Sequence, residues 1–351
     1  MLNSKKTQRQ HYVPQGYLKR FRSDKTDDKI AKIWAYDVIL DKSFNVPIQT
    51  VASRDNFYDS FLDEYIEKYK ERGLEKLLAE EEIKFYTALK EVDQCLIDKV
   101  AINSNVKLRL SFYMYIQFIR TSKFRDDLNW EDTRELSSKI TQENYKQMLQ
   151  IFGLQHKKSM MEFITSCLDK TWIIYKMPKG LEAFTSDNPV VFTFDISDKT
   201  IEEALSTEKT FNITGMKIIF PLDPYHILFL YEKGQNTSLD TLDGREVDFD
   251  TSESASLYMT QSNNIERQVY SSNETQIFKL VKMFYDMNQQ LKQYKQQVED
   301  IYVDARNAVK ARREGKMDPS LAEEKIQRAI RAHRMFQKAA EQKPPLPPKK
   351  D

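Results

Sequence analysis

Glycine is scarce in this chain, with eight in 351 residues, and no GxGxxG or GxxxxGK[ST] pattern is present. That argues against the phosphate-cradling loops of Rossmann and P-loop enzymes. No GxSxG elbow is present either. Cysteine is scarcer still: Cys95 and Cys167 form no CxxC, and no Cys/His group has zinc spacing. Two cysteines make no disulfide framework, though one disulfide between them stays open. They read as reduced core residues of a cytoplasmic protein. Four scattered histidines, His11, His156, His226 and His333, argue against a His-rich metal site. No window approaches 18 apolar residues, which argues against a membrane span. Net charge is nearly absent: 54 basic side chains against 53 acidic ones give +1. No global field then draws the chain to nucleic acid or to a membrane, and any such site must be local.

Apolar bulk is plentiful. Hydrophobic residues make up 40% of the chain, with 20 Phe and 18 Tyr, enough for a large core rich in rings. The length allows one large domain or two medium ones. Residues 1–10 are polar and basic and read as a disordered arm, not a signal peptide. Residues 29–40 predict a strand. Asp41-Lys42-Ser43 predicts a turn into a second strand near 45–51, which Pro47 places on a sheet edge. Helices are predicted over 61–93, divided at Gly73, and over 104–126, 130–151 and 157–169. Short strands follow at 171–177, 182–185, 190–194, 216–220 and 226–231, broken by Ser186-Asp187-Asn188-Pro189 and Pro221-Leu222-Asp223-Pro224. From about Ser252 the composition reads as helical again. The fold class is α+β: a helix-rich body over 11–275 with a mixed or antiparallel sheet, then a long antiparallel helical hairpin over 276–341.

The hairpin carries the clearest periodicity. Ile277, Phe284, Leu291, Val298 and Ala305 recur every seven residues, and Leu280, Met287, Tyr294, Ile301 and Ala308 follow each by three. One helix over 275–312 would run about 55 Å at 1.5 Å per residue. Gly315 predicts its C-cap, and Pro319 opens a shorter helix carrying Ala322, Ile326, Ala329, His333, Phe336 and Ala340. The longer helix therefore has seam near its start that must pack on the body or on another chain. Residues 342–351 form a Pro-rich tail that reads either as solvated or as a PxxP ligand.

Several polar residues interrupt apolar surroundings. His11, beside Tyr12 and Pro14, suits either an acid/base group or a hydrogen-bonded core histidine. Gln117 and Arg120 share a helix face, and Arg120 ends an apolar run, where a guanidinium needs an anionic partner. That partner is either a protein carboxylate, with Asp187, Glu80, Glu81 and Glu82 as candidates, or a substrate phosphate or carboxylate. Asp187 and Asn188 either build an Asx turn or supply a metal-binding carboxylate and an orienting amide. Glu82-Ile83-Lys84 matches a nuclease ExK, but it lies in a helical window rather than on a strand.

HYVPQGYLKRF at 11–21, LEKLLAEEEIKFYTAL at 74–89, QFIRTSKFR at 117–125, TSDNPVVF at 185–192, IIFPLDP at 218–224 and NNIERQVYSSN at 263–273 occur in that order. Together they resemble a largely bacterial family known as domain of unknown function 4238, over residues 10 to about 285. The family pattern has Pro after the Arg-Thr of the third motif, where this chain has Ser122. The resemblance implies that His11, Gln117, Arg120, Asp187 and Asn188 form one polar pocket. The functional expectation is a hydrolase acting on an anionic substrate, specifically a nuclease-type effector of bacterial defence, defence against phage included. In it His11, Asp187 and Asn188 would be catalytic, Gln117 and Arg120 would bind substrate, and Asp187 would hold Mg²⁺ or Mn²⁺. The alternative is a non-enzymatic assembly or sensor protein whose hairpin, 276–341, binds itself or a protein partner. Nucleic-acid binding is a third option, since residues 300–351 carry 13 Lys/Arg against 8 Asp/Glu.

Overall fold

The computed structural model describes residues 9–23, 30–55, 57–58, 73–128, 141–194, 211, 215–274, 276–290 and 292–341. The predicted helical residues 61–72 and 130–140, seam residue Leu291 and the tail 342–351 lie outside the described residues. The class is α+β. The strands are β1 (Arg9–His11), β2 (Lys32–Asp37), β3 (Lys42–Pro47), β4 (Ser53–Asp55), β5 (Lys170–Lys176), β6 (Thr185–Ser186), β7 (Val191–Phe194), β8 (Met216–Asp223), β9 (His226–Glu232), β10 (Arg245–Asp248) and β11 (Gln268–Ser271). One sheet runs β10-β5-β9-β8-β7, parallel only between β10 and β5. A second runs β3-β2-β11-β6, and among the described residues β1 pairs with β4 alone. β3 ends at Pro47 on a sheet edge, where the missing N–H costs no interior ladder bond.

Both faces of the five-stranded sheet are covered, which is why its strands read as continuous apolar runs. Alternate residues enter different cores. Ile218, Phe220, Leu228, Leu230 and Trp172 pack with Phe85, Tyr113, Ile116 and Phe163. These last four lie on α2 (Gly73–Asp98), α3 (Ser104–Ile119) and a later helix, Lys157–Leu168. Ile219, Ile227 and Phe229 face the other core, with Tyr36, Val269, Ile277, Phe278 and Phe284. α1 (Gln15–Leu18) is pinned between sheet and helices by Tyr17. Its ring stacks on Phe220 at 5.3 Å, and its hydroxyl donates to the Pro221 carbonyl at 2.7 Å.

Four elements differ from the sequence expectation. The helix predicted over 104–126 breaks at Arg120-Thr121. Thr121 caps α4 (Ser122–Asp127) by accepting from the Phe124 N–H, so the cap makes the turn where the family pattern has Pro. The segment 263–273, expected to be helical, contains β11 in the middle of the four-stranded sheet. Val269 and Tyr270 bury on opposite faces, in different cores, and strand pairing to β2 and β6 overrides the helical reading. β8 continues through Pro221, expected to begin a turn. Pro221 lies beyond Ile219, the last residue paired with β7, and a bulge follows it. Arg9 and Gln10, counted with the N-terminal arm, belong to β1.

The C-terminal seam divides between two jobs. In the helix Gln276–Gln290, Ile277 and Phe284 are buried in the body and Leu280 and Met287 pack against them. In the helix Lys292–Arg313, Ala305 and Ala308 are buried, and Ala305 clusters with Ala329 and Ile330 of the helix Pro319–Glu341. Gly315, at φ 68°, closes the turn. Its N–H reaches the Arg312 carbonyl and that of Lys316 reaches Ala311, a Schellman cap. The first part of the seam thus packs on the body.

β10 is tied to the β8–β9 turn by His226. Nδ1 lies 3.0 Å from Asp223 and Nε2 3.1 Å from Glu246. Burial opposes the protonated ring, but Asp223 and Glu246 more than offset it, so the His226 pKa is raised. A raised folded pKa gives stability that is complete below the unfolded value, about 6.5, and is lost as pH rises through the folded one. The melting temperature should therefore fall above about pH 6.5 in the wild type. The excess of wild type over His226→Gln should shrink across the same window in thermal melts. A constant difference would show that the ring is not charged in the fold.

Candidate functional site

Arg120, at the C-terminus of α3, is 2% exposed, and its guanidinium has three partners. It donates to Glu82 Oε1 at 2.8 Å, to the His11 carbonyl at 2.7 Å and to the Tyr58 hydroxyl at 3.2 Å. Burial opposes its charge, but Tyr58 and Glu82 hold the pKa above the usual value. Glu82 is thus the carboxylate that answers Arg120, among those the sequence offered. One turn earlier, Gln117 donates to the Tyr12 carbonyl and accepts from the Tyr113 hydroxyl, both at 3.0 Å. Gln117 and Arg120 therefore grip the backbone of consecutive residues, 11 and 12. Gly16 lets this cluster close: a Cβ there would stand 2.3 Å from the ring of Tyr86, whose hydroxyl donates to Glu82 at 3.2 Å.

The His11 ring makes no hydrogen bond to this ion pair, which is met by its carbonyl instead. Its Nδ1 lies 3.5 Å from Gln15 Nε2, and its buried Nε2 makes no hydrogen bond of normal geometry. Burial lowers its pKa, with Arg120 and Arg9 adding and the Gln49 carbonyl opposing. Burial thus favours the neutral ring.

Asp187 follows β6 and is turned toward the backbone leading into β11. Oδ1 accepts from the Glu266 N–H at 3.1 Å, and Oδ2 from those of Arg267 and Gln268 at 2.7 Å each. Burial pushes its pKa up to about 7, Glu266 adds to the rise, and the three N–H donors oppose it. Its charge, after burial, also raises the Tyr12 pKa, and the fourth and last motifs meet here. Asn188 donates from Nδ2 to the Asn264 carbonyl at 3.2 Å, which fixes the amide orientation. Its Oδ1 is buried and has no partner. Among the described residues, no three His, Cys, Asp or Glu side chains form a group able to hold a metal ion.

Beside these bonds lie two adjoining cavities of about 350 and 260 Å³ with Lys123 and Asp127 in both walls. Phe118, Phe124, Phe192, Asn188 and Asn264 line the first. Asp126, Glu266, Tyr285 and Asn288 line the second. Burial raises the Glu266 pKa and the Asp126 charge adds to it, while Arg54, 3.1 Å away, lowers it. A model of the family described as "Protein of unknown function (DUF4238)" matches residues 9–275. The chain belongs to this family. No curated protein and no solved structure matches it. The family segment thus supplies all of the first cavity and most of the second. Tyr285, Asn288 and Gln289, beyond the family segment, close the second.

Glu266, Asn264, Asp126 and Lys123 were not singled out from sequence, although all lie in or beside quoted motifs. Reading 263–273 as a helix hid the fact that it is a turn and strand held opposite TSDNP. Among the described residues no helix is long and apolar enough to cross a membrane.

Proposed function

We propose that the protein is a non-enzymatic sensor or assembly protein. The pair of cavities would receive a small polar ligand, and the C-terminal hairpin would pass that event to a partner. One observation carries the reading: the helix Gln276–Gln290, which leads toward the hairpin, supplies Tyr285, Asn288 and Gln289 to the cavity wall. A ligand there touches the family body and this helix together, so it can bias their arrangement by differential contact. The internal bonding of Arg120, Gln117 and Asp187 supports the same reading. Their charges and amides hold backbone segments together and do not face the cavities. Val303, Leu321 and Met335 are exposed on the hairpin, which suits docking to a second copy. Light scattering on the full chain should then show a mass rising with concentration, and Met335→Glu with Val303→Glu should return it to the monomer. A monomeric mass at every concentration would sink self-association.

The hydrolase reading keeps one observation in its favour. Glu266, with its raised pKa, and Asp126 line one cavity, a pairing that general acid/base chemistry uses. The assay is labelled RNA and DNA with and without Mg²⁺ or Mn²⁺, comparing wild type with Asp187→Ala and Glu266→Gln. Cleavage abolished by Glu266→Gln would establish the hydrolase and overturn the sensor; an intact substrate throughout is the result expected.

A further inference from the structure

One seam position of the C-terminal hairpin, His333, carries a titratable ring in place of an aliphatic side chain. The helix Lys292–Arg313 and the helix Pro319–Glu341 meet at Ala305, Ala329 and Ile330, with Ile301, Tyr302 and Ile326 partly buried against them. Two of the three buried residues are alanines, so the apolar area holding the helices together is small. At this contact the Tyr302 hydroxyl and His333 Nδ1 share a hydrogen bond between the helices. Two ion pairs cross nearer the turn, Asp304 to Lys325 at 2.6 Å and Arg312 to Glu323 at 3.9 Å. Pairs so open to solvent contribute little. The state of one ring therefore weighs heavily on this pairing.

The surroundings of His333 suit one proton on the ring and not two. Its Nδ1 shares the Tyr302 bond, and its Nε2 is buried without a partner. A neutral ring has one N–H and one acceptor nitrogen, and the Tyr302 hydroxyl can meet Nδ1 in either role. An imidazolium has two N–H donors. The one at Nε2 would be a charged, buried donor with no acceptor, which costs more than an unmet lone pair. Among the described side chains no carboxylate lies within ion-pair distance of the ring to offset that cost. Of the charged groups along the two helices near the pair, Asp304 is held by Lys325. Asp300 and Arg306 on one helix and Arg331 and Arg334 on the other belong to exposed residues. Burial is accordingly what lowers the His333 pKa.

We propose that the hairpin is an acid-sensitive switch, in which a proton on His333 unpairs the helix Pro319–Glu341 from the helix Lys292–Arg313 while the body stays folded. A lowered folded pKa gives pairing that is complete above the unfolded value, about 6.5, and is lost as pH falls through the folded one. His226 answers acid in the opposite sense, because two carboxylates, Asp223 and Glu246, flank its ring. The same fall in pH therefore loosens the hairpin and tightens the body. The switch involves neither cavity. Its failure leaves the sensor reading standing, and a ligand response at neutral pH tests that reading alone.

The test is amide exchange on the full chain one pH unit or so to either side of about 6.5, corrected for the intrinsic pH dependence of exchange. In the wild type, 292–313 and 319–341 are expected to exchange several-fold faster on the acid side, while β8 and β9 keep their protection. His333→Gln offers Tyr302 a polar partner without a titrating ring and should remove the difference. Tyr302→Phe deletes the hydroxyl but leaves the ring half-buried, and should retain it. The His333 ring, followed in the wild type by its Cε1 proton, should titrate below about 6.5. If His333→Gln alone opens the hairpin, that ring titration decides. Equal exchange on both sides in the wild type would overturn the switch. So would an acid response of full size in His333→Gln, loss of protection in β8 and β9 along with the hairpin, or a ring that titrates at or above about 6.5.

Discussion

Replacing Arg120 by Ala should cost about 3–5 kcal/mol of folding stability, the penalty for breaking a buried ion pair and stranding its partners. Three groups lose their donor at once: the Glu82 carboxylate, the His11 carbonyl and the Tyr58 hydroxyl. They come from α2, β1 and the 57–58 segment, so one side chain holds three elements to the end of α3. Arg120→Lys keeps the charge but has one nitrogen where the guanidinium uses three, and should recover only part of the loss. Denaturant unfolding measures both, through a lower midpoint at unchanged slope. A substrate clamp would behave differently: Arg120→Ala would leave the midpoint in place and abolish binding or turnover.

Asp187→Ala should be of similar size, about 3–5 kcal/mol, because three backbone N–H groups lose one buried acceptor together. Those of Glu266, Arg267 and Gln268 point at one carboxylate and set the entry of β11 into its sheet. The effect is local in origin. Exchange protection should fall first in 266–271 and in β6, then in the β2 ladder that β11 completes. Thermal melts give the magnitude and amide exchange the location. A catalytic or metal-binding Asp187 would give a stable, inactive protein with native protection across β11.

Much of this architecture was legible in the sequence because its signals are local. The Gly315 cap, Pro319 at a helix start, Pro47 at a sheet edge and the heptad seam each depend on a few neighbouring residues. That Arg120 needs an anion was legible too, since a guanidinium ends an apolar run there, but the choice of Glu82, 38 residues away, among four carboxylates and a substrate anion was not. β11 was not legible. Gln-Val-Tyr-Ser between helical stretches carries too short an alternation, and its pairing with β2 and β6 is made from residues far away in the chain. The cavities depend on that misread strand, so Glu266 and Asn264 could not be placed beside Asn188. Asp187 shows the same limit: its residue type suits metal chemistry, and only the register of β11 turns it toward three N–H donors.

In the proposed function, the polar motif residues serve cohesion and the cavities recognition, with the helix Gln276–Gln290 as the link between recognition and the hairpin. Amide hydrogen exchange on the full chain, before and after saturation with the small molecule that titration identifies, tests that link most directly. Slower exchange is expected in 276–290, carried into 292–313, while 117–125 and 185–188 stay equally protected in both states. Saturating binding that leaves 276–313 unchanged would contradict it.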